Sequence, residues 1–310
     1  MNANSQGVLL CVVGPTAIGK TALAVKLAQH FNTEIISADS RQFFKEMCIG
    51  TAVPSPEELA AAPHHFIQHL SITDSYSVGD FERDAIALLD ELFKEHPVVV
   101  LVGGSGLYVD AVTRGLDEFP EIAPGIRDAL NQQLKNEGIA SLQDELQQKD
   151  PEYYSEVDLQ NPHRLIRALE VIRQTGKTFS SFRNQQPKQR AFKTIKLGLT
   201  AERELIYDRI NRRVDIMIQE GLLQEVKGLL SFKDLNALQT VGYRELIGHL
   251  ETDIPLQDAI DAIKQNTRRF AKRQLTWFRK DPQIQWFDYQ TPTAEIISAL
   301  AAQHKELQRS

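Results

Sequence analysis

Cysteine is scarce in this 310-residue chain, which carries only Cys11 and Cys48. Two thiols far apart supply neither a disulfide framework nor the ligands of a thiolate zinc site, so no zinc is expected and both are read as buried, unreactive groups. Long apolar runs are also missing. The most apolar, Val98 to Val102, is far shorter than the roughly 20 residues that cross a bilayer. Met1 to Gly7 is polar and has neither a basic n-region nor an apolar h-region, so the expected location is cytoplasmic, with no membrane partner. With 17 Gly and 13 Pro, 42% hydrophobic and 25% charged residues, the composition excludes collagen-like, disordered and coiled-coil classes. Positive charge is not in excess either: the net charge is −6 and the pI about 5.8, an average that argues against a nucleic-acid partner. The average hides a gradient. From Lys264 to Lys280 the chain has seven basic residues and no acidic one.

At roughly 100 to 200 residues per domain, the length accommodates two modest domains. Val8 to Val13 is a short apolar run ending at a glycine-rich turn, and Lys20 to Phe31 follows with helical apolar spacing. Glu34 to Ser37 and Val98 to Val102 read as further buried strands, and near-continuous apolar strands between helical segments predict a parallel sheet covered on both faces. The fold class is therefore α/β: a P-loop parallel-sheet core flanked by helices, with a mainly helical inserted domain. Long polar helical stretches, Gly125 to Glu137 and Ile139 to Lys149, place that insertion at 118–193, and the core at 1–117 and 194–310. A strand from Ile195 to Leu199 and helices over Glu202 to Gln219, Leu222 to Leu230, Gly242 to Leu250 and Leu256 to Lys280 complete the reading.

Gly14-Pro15-Thr16-Ala17-Ile18-Gly19-Lys20-Thr21 fits G-x-x-x-x-G-K-[ST] between a strand and a helix start. Its backbone N–H groups form an anion nest, the helix dipole and Lys20 add positive charge, and Thr21 is the residue to hold Mg2+ bridging phosphates. The loop alone does not say which diphosphate it grips. A nucleotide hydrolase needs a second apolar strand ending in Asp or Glu. Val98 to Val102 ends instead in Gly103-Gly104-Ser105-Gly106-Leu107-Tyr108, which presents a hydroxyl at the carboxyl edge, where α/β proteins bind ligands; a tight turn with a solvated serine is the other reading. Asp39 follows the second strand at that same edge, as catalyst or as helix cap.

Asn161 to Glu170 opens a helix with His163, Arg164 and Arg167 in its first turns, where cations oppose the dipole unless an anion is near. Arg209, Arg212 and Arg213 form another basic group. Between Arg268 and Arg279, basic residues alternate with Phe270, Trp277 and Phe278, a pattern that suits unpaired RNA, although at helical spacing the rings fit a core equally well.

Taken in order, Gly14 to Thr21, Asp39 to Gln42, Ile49 to Ala52, Pro63 to His65, Gly103 to Tyr108, Asn161 to Glu170, Val241 to Glu245 and Ala271 to Arg279 resemble the motifs of the tRNA dimethylallyltransferase family, or isopentenylpyrophosphate transferases, over nearly the whole chain. The resemblance implies transfer of a dimethylallyl group from dimethylallyl diphosphate to the exocyclic amine of adenosine 37, in tRNAs reading codons that begin with U. It implies Asp39 as general base, Ser105 in the place of the usual Thr, and Arg213 beside the phosphate loop on the departing diphosphate. It implies tRNA contacts at Asp39, Ser40, Arg41, Gln42 and Ser105, and at Arg127, His163, Arg164, Leu165, Ile166 and Arg167. Further contacts are implied at Gln239, Thr240, Val241, Gly242, Tyr243, Arg244, Glu245, Lys272 and Arg273. The target base must leave the loop stack to react, and the insertion would close on the anticodon stem of a tRNA bound by a monomer. Ile18 replaces a small residue of the family pattern and Phe44 a tyrosine, which removes any role for that hydroxyl. A phosphate-loop kinase or ATPase, and a nonenzymatic RNA-binding protein, are the alternatives; the missing carboxylate after Val102 disfavours the first, and the intact loop with Asp39 the second.

Overall fold

The structure, a computed structural model, describes residues 6–183 and 186–308, so of the polar stretch ending at Gly7 residues 1–5 lie outside it. It divides into two compact units: residues 1–114 with 189–310, and residues 115–188.

The first unit begins with β1 (Val8–Val13), α1 (Lys20–Phe31), β2 (Ile35–Ser37), α2 (Pro56–Ala61), β3 (His64–His65), α3 (Val78–Leu92), β4 (Val98–Gly103) and α4 (Gly106–Arg114). Among the described residues the sheet has the order β3-β2-β4-β1, continued beyond β1 by β5 (Lys193–Thr200) and β6 (Ile284–Asp288), all parallel. Val8 pairs in register with Val98 on one side and Lys193 on the other, which makes β1 the central strand. Successive strand residues face opposite sides. Val8, Leu10 and Val12 join Leu23, Leu27 and Phe31 of α1, while Leu9, Cys11 and Val13 join Phe81, Ala85 and Leu89 of α3. Burial on both faces is why these strands lack polar alternation.

Two strands were not expected. The edge strand β3 is two residues long, too short for any pattern to show. β6 was masked by its polar Gln285 and half-buried aromatics; it is set in place by the pairing of Ile284 with Lys196. The Gly103–Tyr108 motif is also more than a turn, since α4 starts at Gly106 directly after Ser105. Cys11 is buried and Cys48 only partly so, correcting the expectation of two buried thiols; the amide of Gln68 donates to Cys48 Sγ at 2.7 Å.

The second unit holds α5 (Ile126–Glu137), α6 (Ile139–Lys149), α7 (Pro151–Glu156) and α8 (Pro162–Thr175) around Leu130, Leu142, Leu146, Leu165, Leu169 and Ile172. Asn161 caps α8 by accepting from the Arg164 N–H, Pro162 occupies its first turn, and Gly176 ends it with φ 70°. Asp150 is fully buried and accepts from the Tyr153 and Ser180 backbone N–H groups and the Ser180 hydroxyl. Asp150→Ala strands all three donors. It is expected to cost at least about 3 kcal/mol, at about 1–3 kcal/mol for each of the buried groups left unpaired, read as a lowered denaturant midpoint of the helical signal.

After β5 the first unit continues with α9 (Arg203–Gln219), α10 (Leu222–Gly228), α11 (Tyr243–Glu251) and α12 (Leu256–Phe278), and ends with α13 (Thr293–Gln303) beyond β6. Helices α9 to α12 share a core of Val214, Leu222, Val226, Leu246 and Ile263, which also takes in Met47 from the segment after β2. Among the described residues, no helix is long and apolar enough to cross a membrane.

Candidate active site

The carboxyl ends of β1, β2 and β4 bring together the phosphate loop, Asp39 and Gly103 around a cavity of about 550 Å³. Gly14, at φ +142°, lies so close to β5 that a Cβ there would sit 2.6 Å from the Leu199 carbonyl oxygen. Only glycine fits. Helix α1 has no side-chain cap, so the N–H groups of its first turn remain available to an anion.

Lys20, Arg41, Arg209, Arg212 and Arg213 line the cavity, against the carboxylates of Asp39 and Glu58. The cavity is therefore built for an anion. Lys20 donates to the Pro15 carbonyl at 2.8 Å, Arg209 to the Ala17 carbonyl at 2.7 Å, and Arg213 to the Thr16 hydroxyl. Arg209, Arg212 and Arg213 share one face of α9 because positions three and four apart coincide on a helix, a signal present in the sequence. Burial, only partly offset by Asp39, draws the Lys20 ammonium down from 10.5 to about 8. Burial, reinforced by Arg41, draws the Arg213 guanidinium down to about 10.

A bound dianion favours charged Lys20, so binding raises the lysine's pKa and takes up a proton. Affinity for an alkyl diphosphate, fully present below about pH 8, is expected to fall as pH rises above that value, by up to about tenfold per pH unit. Calorimetry in buffers of different ionisation enthalpy checks both the slope and the proton uptake.

Asp39 follows β2, where the Ala38 N–H bonds the Val102 carbonyl at 2.7 Å and ties the segment to β4. Its Oδ1 accepts from the Arg41 N–H at 3.2 Å, which orients the carboxylate. Ser105 does not line the cavity, but its Oγ lies 3.3 Å from Ser40 Oγ and accepts from the Ser40 N–H at 3.4 Å, which joins the two loops beside Asp39. Thr16, Ala17, Gly19, Lys20 and Thr21 line the cavity; Gly14, Pro15 and Ile18 do not, and Ile18 is buried scaffold.

Several residues expected to touch RNA also have partners within the protein. Leu165 and Ile166 are buried in the second unit's core, so their side chains pack rather than bind. Gln42 is largely buried and donates to the Ala52 carbonyl, yet it lines the cavity beside Asp39, whereas Tyr243 is buried, its hydroxyl donating to Glu225 at 2.6 Å. Gly242 is buried, and Glu245 caps α11 by accepting the Gly242 N–H and also accepts from Asn266. Arg41 donates to the Gly50 and Val241 carbonyls at 2.8 and 2.7 Å. In the second unit Arg127 and Arg167 both pair with the buried Glu170, the local anion that a basic first turn requires. His163, Arg164, Gln239, Arg244, Lys272 and Arg273 are exposed, and Thr240 is partly so. Of the three rings in α12, Phe278 is core, Phe270 lines the cavity, and Trp277 is exposed with its indole N–H on Asp110.

Glu225 left no sequence signal, because it acts across about 175 residues of chain: its carboxylate accepts the N–H groups of Cys48, Ile49 and Gly50 and the Tyr243 hydroxyl. It pegs the loop whose Gly50 carbonyl holds Arg41 next to Asp39.

A phosphate-loop parallel sheet that sets an aspartate and a serine beside a cationic cavity defines an α/β phosphate-loop protein with an anion-binding site at the carboxyl edge of its sheet. The chain belongs to the IPP transferase family, whose model matches residues 42–281. It is 62% identical to a tRNA dimethylallyltransferase of Christiangramia forsetii, over 93% of this chain and 96% of that protein. It is 55% identical to one of Flavobacterium psychrophilum, over 96% and 99%. Among solved structures it resembles a full-length tRNA isopentenylpyrophosphate transferase from Bacillus halodurans, at 37% identity and TM-score 0.72 over 98% of both chains. It also resembles a eukaryotic dimethylallyltransferase acting on tRNA, at 26% identity and TM-score 0.81, covering 98% of this chain and 80% of the other.

Proposed function

We propose that the chain transfers a dimethylallyl group from dimethylallyl diphosphate to the N6 amine of adenosine 37, in tRNAs that read codons beginning with U. The observation that carries this reading is Asp39 and the phosphate loop sharing one cationic cavity, which pairs a base with a leaving-group cradle. In the reaction the amine nitrogen bonds to the allylic carbon, the carbon–oxygen bond breaks, and its electron pair leaves on the diphosphate. Asp39 takes the amine proton, and Ser105 orients the amine. Lys20, Arg213 and the loop N–H groups meet the charge that grows on the diphosphate.

Magnesium fits the residues present. Thr21 lines the cavity, its hydroxyl bonds no group among the described residues, and the neighbouring donors are the hard oxygens of Ser37, Asp39 and Glu58. When bound, the ion would neutralise diphosphate charge, held by Thr21. The exposed Lys272, Arg273, Arg244, His163 and Arg164 are the cations assigned to the tRNA backbone, with the second unit as the anticodon-stem clamp of a cytoplasmic monomer.

The test mixes the protein with magnesium, labelled dimethylallyl diphosphate and unmodified tRNA. Label should enter the RNA at adenosine 37. Unlabelled RNA together with hydrolysis of added ATP would return the assignment to a phosphate-loop kinase or ATPase.

A further inference from the structure

The buried amide of Gln274, on α12, bonds both catalytic loops at once. Its Oε1 accepts the Thr16 N–H at 2.8 Å, and its Nε2 donates to the Gly104 carbonyl at 2.9 Å. The contact with Gly104 leaves no room for a side chain, because a Cβ there would stand 2.3 Å from Nε2. Thr16 is held a second time by Arg213, through its hydroxyl. Gly104 directly precedes Ser105, whose hydroxyl reaches Ser40 beside Asp39. One amide therefore spans the group that grips the leaving diphosphate and the group that presents the nucleophile.

We propose that Gln274 is a positioning residue for prenyl transfer, setting the separation between the phosphate loop and the Ser105 loop; the proposal rests on the prenyl-transfer reading of this site. Displacement at an allylic carbon requires nucleophile, carbon and leaving oxygen in line, with the reacting atoms about 3–3.5 Å apart, and a misplacement of about 1 Å costs about 100-fold in rate. Gln274 has the chemistry to hold that spacing: a planar group with an acceptor on one arm and a donor on the other. Its place on α12 adds a second consequence. The exposed cations Lys272 and Arg273 immediately precede it, so a phosphate backbone held by this helix pulls on the same element that bonds both loops. RNA docking and the geometry of the chemistry are joined through one side chain.

The experiment compares wild type, Gln274→Met and Gln274→Glu in single-turnover transfer from labelled dimethylallyl diphosphate to unmodified tRNA, with separate binding measurements for each substrate. Methionine matches the length and keeps neither bond. Its saturated rate should fall about 100-fold, while dimethylallyl diphosphate and tRNA affinities stay within about threefold. Glutamate keeps the acceptor for the Thr16 N–H and loses the donor to Gly104, so its rate at saturating dimethylallyl diphosphate should fall well below wild type, while its added carboxylate also weakens diphosphate binding by repulsion; the saturated rate is therefore the quantity compared. It also carries the test if the methionine variant does not fold. A merely structural amide would show the loss as weaker binding or lower melting temperature at an unchanged saturated rate, and that result overturns the proposal. Wild-type transfer with unaffected variants sinks this inference alone. No transfer by wild type sinks the prenyl-transfer reading and this inference with it.

Discussion

Asp39→Ala is expected to lower the single-turnover rate of prenyl transfer by about 10²- to 10⁴-fold, the range that a positioned general base contributes, while dimethylallyl diphosphate still binds. The exocyclic amine of adenine is a weak nucleophile because its lone pair is drawn into the ring, and removing its proton as the new bond forms is what the carboxylate supplies. Binding survives for an electrostatic reason. Asp39 is a negative group in a cavity that must accept an anion, so its loss removes repulsion, even as it withdraws the partner that favours charged Lys20. Asp39→Asn separates orientation from basicity, because an amide oxygen still accepts the Arg41 N–H that Oδ1 accepts at 3.2 Å. If the asparagine variant is as slow as the alanine one, with intact diphosphate affinity by calorimetry, the effect lies in proton removal. Loss of diphosphate binding in both would instead make Asp39 a structural residue.

Lys20→Met should move function and stability in opposite directions. Dimethylallyl diphosphate affinity is expected to fall by about 10²- to 10³-fold, as when one member of a desolvated charge pair is removed, and the transfer rate with it, because negative charge grows on the diphosphate as the bond breaks. The fold, by contrast, should become more stable at pH 7. Burial holds the folded-state Lys20 at about 8 against an ordinary 10.5, a difference of about 3 kcal/mol. The unfolded chain therefore binds more protons between these two values, and wild-type stability rises with pH through that window, while below about pH 8 the full penalty is present. Methionine removes the penalty but strands the Pro15 carbonyl that Lys20 bonded, which costs about 1 kcal/mol. The net gain is on the order of 2 kcal/mol, measured as a raised denaturant midpoint at pH 7 that shrinks toward pH 10. An unchanged midpoint, or a lowered one, would mean that Lys20 is already solvated in the free enzyme.

Much of the core could be read from the chain because the relevant forces are local. The run Val8 to Val13, the glycines of the phosphate loop and the helical spacing of Lys20 to Phe31 declare strand, turn and helix within a few residues, and the structure has all three at those positions. The basic face of α9 was visible for the same reason. What failed to show was long-range. Gln274 stands within a run of basic and aromatic residues and reads there as one more polar side chain, yet its spacing from Ala271 and Phe278 turns it inward, onto loops about 170 and 258 residues away. Leu165, Ile166 and Tyr243 sit inside the family motifs and so looked like ligand contacts. Burial shows that they support the motifs from beneath.

The sequence by itself determined the α/β class, the phosphate loop and its place before α1, and the family, since these depend on short periodicities and on ordered motifs. Only the tertiary structure decided which motif residues face the cavity and which hold it up. That choice is made by packing and by hydrogen bonds between distant segments: Glu225 gathering the N–H groups of residues 48–50, Arg213 and Gln274 meeting at Thr16, and Lys20 losing water inside a pocket that closes only once β1, β2 and β4 lie side by side.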